Sequence, residues 1–348
     1  MKPLGRRFDA YQAFLLGCKT YWSNTLYPQV KSECYTKNDE KSFDAIENSS
    51  RDNVTYQYYS YLERHLQRMK YSGRYGIVPM HEPFRPELEQ KLDENLPKNL
   101  LTLQNNFEPP SYFTAIDIHQ HPGGTCGDTL AGFVYERGSR SMWPGGSKDR
   151  GLHSRFNAIV KSICEPQRVL DLGCGFGKST QPFAEDFPGG KVLGVDVSAP
   201  CLKLAALTAY KNQLQNIQYH QCNAENTPFS SASFDLVTST MLLHEMPPKA
   251  IRKLIRESFR LLDNGGYAIH LDYLTDDDPF NQFIHFGHAQ RNNEPFMKPL
   301  SEMGLGNVMQ DAGFKDVKVE PFEEAPNALS PNNRAWRFPW IIVTGQRP

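Results

Sequence analysis

Arg168-Val169-Leu170-Asp171-Leu172-Gly173-Cys174-Gly175-Phe176-Gly177-Lys178-Ser179-Thr180 is the stretch that decides the fold. Its first residues read as a short apolar strand, buried on both faces as in a parallel sheet. The G-x-G-x-G that follows reads as a turn, and the residues beyond it open a helix. Glycine lacks a Cβ, so the backbone can take positive φ there and a ligand can come close. Amides of the first helical turn could bind a negatively charged group. Taken alone, the stretch also fits an ordinary strand–turn–helix corner, so the residues around it must decide.

Working outward toward the C-terminus, a helix runs to about Phe187 and Pro188-Gly189-Gly190 breaks it. Lys191-Val192-Leu193-Gly194-Val195-Asp196-Val197 is a second buried strand. Asp196 ends it, where an acid can accept hydrogen bonds from ribose hydroxyls. Ser198 caps the next helix, with Pro200 in its first turn. Asn216–Cys222 is a third strand, followed by Asn223-Ala224-Glu225. Ser233–Ser239 is a fourth, followed by Met241-Leu242-Leu243-His244-Glu245-Met246-Pro247. Residues 248–262 form a helix with Ile251, Leu254, Ile255, Phe259 and Leu262 on one side. Asn264-Gly265-Gly266 ends that helix, and Tyr267–Tyr273 is a fifth strand. Strands and helices alternating over roughly 180 residues imply a doubly wound α/β sheet. Phe314–Glu320 and Arg337–Thr344 add a terminal hairpin, one strand of which runs antiparallel to the rest. The sum is seven strands.

Upstream of Gly151 the pattern is mainly helical. Phe8, Tyr11, Phe14, Leu15 and Cys18 fall at helical spacing. Residues 32–53 are polar and read as a loop. In Thr55–Met69, Tyr58, Tyr61, Leu62, His65, Leu66 and Met69 would share one helix face. That face either packs on a neighbour or walls a small-molecule pocket. Residues 86–104 read as a second helix with Pro86 near its start. Residues 109–150 are rich in Gly, Pro and His. They hold Ile118-His119-Gln120-His121-Pro122-Gly123-Gly124, Leu130–Tyr135 and Trp143-Pro144-Gly145-Gly146, and read as irregular binding loops or a lid. His119 and His121 with Cys126 and Asp128 match no recognised metal pattern, so no metal is assigned.

The chain has 348 residues, a net charge of −1 and 39% hydrophobic residues. That balance offers no global electrostatic case for nucleic acid or a membrane surface. No apolar run is long enough to predict a membrane span, and the start is too polar for a signal peptide. The seven cysteines are widely spaced with no C-x-x-C pair. This argues for reduced thiols and a cytoplasmic protein.

Five features in order resemble the class I S-adenosylmethionine-dependent methyltransferases, especially the small-molecule group of the ubiquinone and menaquinone pathways. They are Asp171–Gly177, Asp196, Asn223-Ala224-Glu225, Phe234-Asp235-Leu236-Val237 and Leu261–Gly266, within residues 151–348. Asn223 stands where the family usually has an acid, and Asn264 where it usually has proline. The resemblance implies a seven-stranded, Rossmann-like methyltransferase sheet over 151–348. Residues 1–150 would then be a cap that covers the substrate or supports a homodimer. It implies S-adenosyl-L-methionine as cofactor. Gly173, Gly175 and Gly177 would pass beside its methionine and ribose, and Asp171 would contact or order the site near its amine. Asp196 would take the ribose hydroxyls, Val197 would pack on adenine, Asn223 and Ala224 would read its edge, and Thr240 would lie beneath the methionine part.

The sulfonium carries the activation in methyl transfer, so the protein aligns a nucleophile and removes a proton where needed. His244 and Glu245, beside the expected cofactor site, are the catalytic candidates. The expected acceptor is a small molecule. Its expected contacts are Tyr58, Tyr61, His119 and His121 before the domain, and His285, His288, Arg291, Asn292 and Glu294 in the insert after the fifth strand. Two other classes compete. A nicotinamide-dependent oxidoreductase would need G-x-G-x-x-G, a different spacing. A methyltransferase-like protein could instead bind cofactor or partner without catalysis.

Overall fold

The computed structural model describes residues 5–36, 41–140 and 151–348. Trp143-Pro144-Gly145-Gly146 therefore lies outside the described residues. Eight strands build one sheet: β1 (Leu101–Thr102), β2 (Arg168–Leu172), β3 (Lys191–Asp196), β4 (Ile217–Gln221), β5 (Phe234–Thr240), β6 (Leu262–Tyr273), β7 (Lys315–Pro321) and β8 (Trp340–Gln346). Their order is β1-β4-β3-β2-β5-β6-β8-β7. β1 to β6 pair in parallel, and β8 runs antiparallel between β6 and β7. The winding reverses between β2 and β5. Ligands of doubly wound sheets bind in the crevice at the carboxyl ends of the strands on either side of such a switch.

Strand alternation divides the core. Leu170 and Leu172 of β2 pack with Ile251, Leu254 and Ile255 of the helix Pro248–Leu261. Val169 packs on the opposite face with Phe156, Val160, Leu202 and Ala205. A third cluster joins the two ends of the chain. Trp22, Leu26, Ile46 and Tyr59 pack with Phe280, Phe283 and Ile284 of the helix Pro279–Asn292. The Trp22 ring lies 4.8 Å from Tyr59 and 5.0 Å from Trp336. The N-terminal helices are thereby seated on the segment that follows β6.

Several expectations need correction. The sheet has eight strands, because residues expected to continue a helix leave it after Leu92 and give β1, which pairs with β4 through Leu101 and Tyr219. Pro97 keeps the helix from resuming before β1, since the residue before proline, Leu96, is driven out of the helical region. The polar segment 32–53 contains a helix, Phe43–Arg51, whose first turn is capped by Ser42 Oγ accepting from Ala45 N at 3.2 Å. Its polarity is a solvent face around buried Ile46. Leu130–Tyr135 is not irregular; a helix spans Ala131–Ser139. Gly265, at φ +82°, lies inside the irregular start of β6 rather than ending the preceding helix. The tyrosine helix, Val54–Tyr71, buries Tyr59, Glu63, Leu66, Lys70 and Tyr71 and leaves Tyr58 and Tyr61 exposed.

The helix Ala131–Ser139 docks closely on the helix Ala199–Lys211. A Cβ at Gly132 would stand 2.5 Å from the Pro200 carbonyl oxygen, a backbone atom that cannot swing away. Gly132→Ala should cost about 1–3 kcal/mol by overpacking, read as a lower urea midpoint. Gly17→Ala, with nothing within 4 Å of the added methyl, should leave the midpoint unchanged or raise it. Equal midpoints for the two variants would contradict that close docking.

Candidate cofactor and acceptor site

The glycine turn forms one wall of a cavity of about 550 Å³ at the switch point. Gly173, Gly175 and Gly177 have φ of +67°, +51° and +81°, a region L side chains rarely adopt. A Cβ at Gly173 would meet Leu242 Cδ1 at 2.7 Å. The turn is held from beneath and from the side. Asp171, fully buried, accepts from Ser179 Oγ at 2.7 Å and Thr180 Oγ1 at 2.6 Å. Asp196 Oδ2 accepts from Gly175 N and its Oδ1 from Ser198 N, both at 2.8 Å. Burial raises both carboxyls to about 6.

Asp196, Val197, Asn223, Ala224 and Thr240 line the same cavity. Thr240 Oγ1 is buried with no hydrogen-bond partner among the described residues. Each Asp196 oxygen keeps a second lone pair, so both can still accept. Asn223 Oδ1 accepts from Glu225 N at 2.9 Å, which leaves its amide hydrogens free to turn outward. Asp171 does not line the cavity; it orders the turn from behind. Close backbone, two accepting oxygens and an unpartnered hydroxyl suit a ligand with a sugar at one end and a polar, flexible tail at the other.

A second chamber of about 90 Å³ adjoins the first, sharing Lys19, Trp22, His119, Tyr135, Glu245 and Trp336. Buried charges surround it. His119 bonds Glu245 through Nε2 at 3.1 Å and Glu294 through Nδ1 at 2.9 Å. His244 Nδ1 bonds Asp272 at 2.7 Å. His288 Nδ1 bonds Glu63 at 2.5 Å, and Arg291 also pairs with Glu63. Burial alone would lower His119, but Glu294 and Glu245 outweigh it and raise it to about 10. Burial likewise opposes protonation of His288, yet Glu63 and Glu294 carry it to about 9. His244 is raised too, Asp272 outweighing burial. Burial lowers Lys19 to about 8 and Lys70 well below its ordinary value.

The expected acceptor residues divide. His119 and His121 line the main cavity; His119, His288, Asn292 and Glu294 line the inner chamber. His121 stacks on Tyr71 at 4.8 Å, and burial together with Lys70 lowers it to about 4. Tyr58 and Tyr61, at 47% and 58% exposed, border neither cavity. His285 is buried beside Trp336, and Arg291 is occupied by Glu63; neither borders a cavity. His244 and Glu245 both line the inner chamber, and Glu245 lines the main one as well. Sequence reading missed Lys19, Glu63, Lys70, Tyr135, Asp272 and Trp336. A polar residue on an otherwise buried face was the available signal for Glu63, Lys70 and Asp272.

Strand order, switch point and glycine turn define a doubly wound, Rossmann-like domain. A family profile described as "Methyltransferase domain" matches residues 169–266. The ubiquinone/menaquinone biosynthesis C-methyltransferase UbiE of Pectobacterium atrosepticum is 30% identical over 190 residues, covering 48% of this chain and 75% of its own length. The uncharacterized methyltransferase sll0829 of Synechocystis is 37% identical over 176 residues, covering 48% and 77%. Among solved structures, phosphoethanolamine N-methyltransferase 2 of Haemonchus contortus in complex with S-adenosyl-L-methionine aligns with TM-score 0.48 and 20% identity, over 69% of this chain and 60% of that one. The chain belongs to the class I S-adenosylmethionine-dependent methyltransferases and resembles UbiE.

The His288 shift sets a pH dependence. Its folded value lies above the unfolded one, so its stabilising contribution is complete below about pH 6.5 and is lost as pH rises through about 9. Groups facing it are Glu63, Glu294, Arg291 and His285. The Tm advantage of the parent over His288→Gln should shrink between pH 6.5 and 9. A constant difference across that range would refute a protonated His288.

Proposed function

We propose that the protein transfers a methyl group from S-adenosylmethionine to a small molecule seated between the glycine turn and the inner chamber. The observation that carries this reading is continuity. One cavity runs from Asp196, Gly173 and Gly175 to Glu245, which also borders the inner chamber with His244. When bound, the cofactor supplies an activated methyl group. Asp196 holds its ribose hydroxyls, Val197 and Ala224 flank its base, and Asn223 meets the base edge with its amide. Thr240 Oγ1 gains a partner in the methionine part. Asp171 contributes indirectly, by fixing Ser179 and Thr180.

The acceptor occupies the space bounded by Tyr135, His119, Trp336 and Glu245. His244 Nδ1 is held by Asp272, so Nε2 is the nitrogen left to take a proton from the acceptor. Lys19 and Lys70 border the inner chamber without an ion pair among the described residues. Burial disfavours the charged form of both amines, and an anionic group brought beside them would restore it, which favours an acceptor with an anionic group. Arg291 is not that receptor, since Glu63 already neutralises it. Residues 1–150 serve as the cover that brings Lys19, Lys70 and His119 over the methyltransferase domain.

Asp196→Ala should weaken S-adenosylmethionine binding by an order of magnitude or more, as loss of hydrogen bonds worth about 1–3 kcal/mol implies. Equilibrium binding of the labelled cofactor measures it, and an unchanged affinity rules out the ribose role. His244→Ala should keep cofactor affinity while lowering formation of S-adenosylhomocysteine across a panel of small acidic acceptors by ~10²-fold or more. Turnover equal to the parent would remove His244 from the reaction.

A further inference from the structure

Three residues that line the inner chamber bring donor atoms of metal-ligand type together. His119, His244 and Glu245 each offer a ligand atom within 4.8 Å of the other two, the one such group found among the described residues. His119 Nε2 and Glu245 Oε1 are 3.1 Å apart, a separation that suits two ligands bound at about 2.0–2.2 Å to one tetrahedral or octahedral ion. Each histidine is oriented from behind by a buried carboxylate on its Nδ1: Glu294 at 2.9 Å for His119 and Asp272 at 2.7 Å for His244. That carboxylate–histidine arrangement fixes the tautomer and aims Nε2, as in metal sites generally.

The backbone supports the aim. His119 and Gln120 both lie at positive φ, +57° and +55°, a strained region for residues with side chains. Two long-range bonds hold them there. Gln67 Nε2 donates to the His119 carbonyl at 2.9 Å, and Gln120 Nε2 donates to the Arg291 carbonyl at 2.8 Å. The loop is thus clamped at the point where it delivers an imidazole to two residues 125 and 126 positions further on.

We propose that His119, His244 and Glu245 bind one divalent first-row transition ion, of the Zn²⁺ or Fe²⁺ type, with open positions facing the acceptor cavity. Two imidazoles and one carboxylate suit such ions better than Mg²⁺ or Ca²⁺, which favour all-oxygen sets. The open positions would take an oxygen or sulfur of the acceptor, holding it beside the methyl donor. This rests on the proposed acceptor site and changes His244 from a proton acceptor to a ligand.

The test uses the full chain, freed of metal with a chelator and titrated with Co²⁺, Zn²⁺ and Mg²⁺ chlorides. Calorimetry and the visible Co²⁺ spectrum are the readouts. The expectation is one equivalent of Co²⁺ or Zn²⁺ per chain, with Mg²⁺ much weaker. His119→Ala and Glu245→Gln should abolish stoichiometric binding. Asp272→Asn and Glu294→Gln should weaken it ~10–100-fold, and His121→Gln, on the same loop, should not. Circular dichroism checks that each variant folds. Absence of stoichiometric binding by the folded parent, or binding that survives the His119→Ala/Glu245→Gln double variant, overturns the proposal. So does a Co²⁺ spectrum dominated by thiolate charge transfer. Labelled-cofactor binding is measured in the same samples. Turnover that is equal with and without the bound ion would defeat the acceptor-holding role of the metal site alone. Metal binding without methyl-donor binding would defeat the methyl-transfer reading alone.

Discussion

A chain of charges, Arg291–Glu63–His288–Glu294–His119–Glu245, buried at Glu63, His288 and Glu294 and half-buried at the rest, is what the inner chamber depends on. Charges taken out of water are costly unless each finds a partner. Here each does, and the partners come from four separate segments: the helix Val54–Tyr71, the His119 loop, the turn after β5, and the helix Pro279–Asn292 with its Glu294 extension. Removing one member leaves its neighbour buried and uncompensated. The network therefore acts less as a source of net stability than as a rule about which segments can close on each other. The aromatic cluster of Trp22, Tyr59, Trp336 and Phe338 fills the space around it.

The cofactor end is built on a different principle. The glycine turn is shaped by backbone geometry and by short-range bonds from Asp171 and Asp196. Asp171 and the hydroxyls it accepts from are only eight and nine positions apart. Such a turn can be read from a single strand–turn–helix segment: Gly173, Gly175 and Asp196 line the cavity, whereas Gly177 faces Tyr219 and Ala205. The parallel strands were legible as well, because burial on both faces leaves continuous apolar runs. Asn223 illustrates the limit of that reading: its chemistry was clear, but the backbone N–H of Glu225 captures its oxygen.

The inner chamber could not be read in the same way. Its charge chain joins positions 63, 119, 245, 288, 291 and 294, and no local period connects them. In the helix Val54–Tyr71 the tyrosine stripe pointed to the wrong face. An apolar count discards Glu63 and Lys70, yet these are buried while Tyr58 and Tyr61 meet solvent. Arg291 was recognisable as a polar residue among aromatics, but whether it meets a ligand or Glu63 is decided by a helix more than two hundred positions earlier. β1 escaped for a similar reason. Two residues carry no periodicity, and Leu101 becomes a strand only because β4 offers an open edge.

These two ends meet at the segment between β5 and the helix Pro248–Leu261, and its geometry explains why the division of labour works. Thr240 closes β5 against the cofactor cavity, Leu242 packs over Gly173, and His244 and Glu245 follow within one turn. Asp272, at the end of the adjacent β6, bonds both the backbone of Leu243 and His244 Nδ1. A single buried carboxylate thus ties that turn to the sheet, at the same edge that carries the glycine loop. His244 and Glu245 are thus referenced to the rigid sheet, whereas the other walls of the inner chamber come from the N-terminal helices and the insert after β6. Changes in those walls can reshape the inner chamber without disturbing the register between the glycine turn and the segment that carries His244 and Glu245.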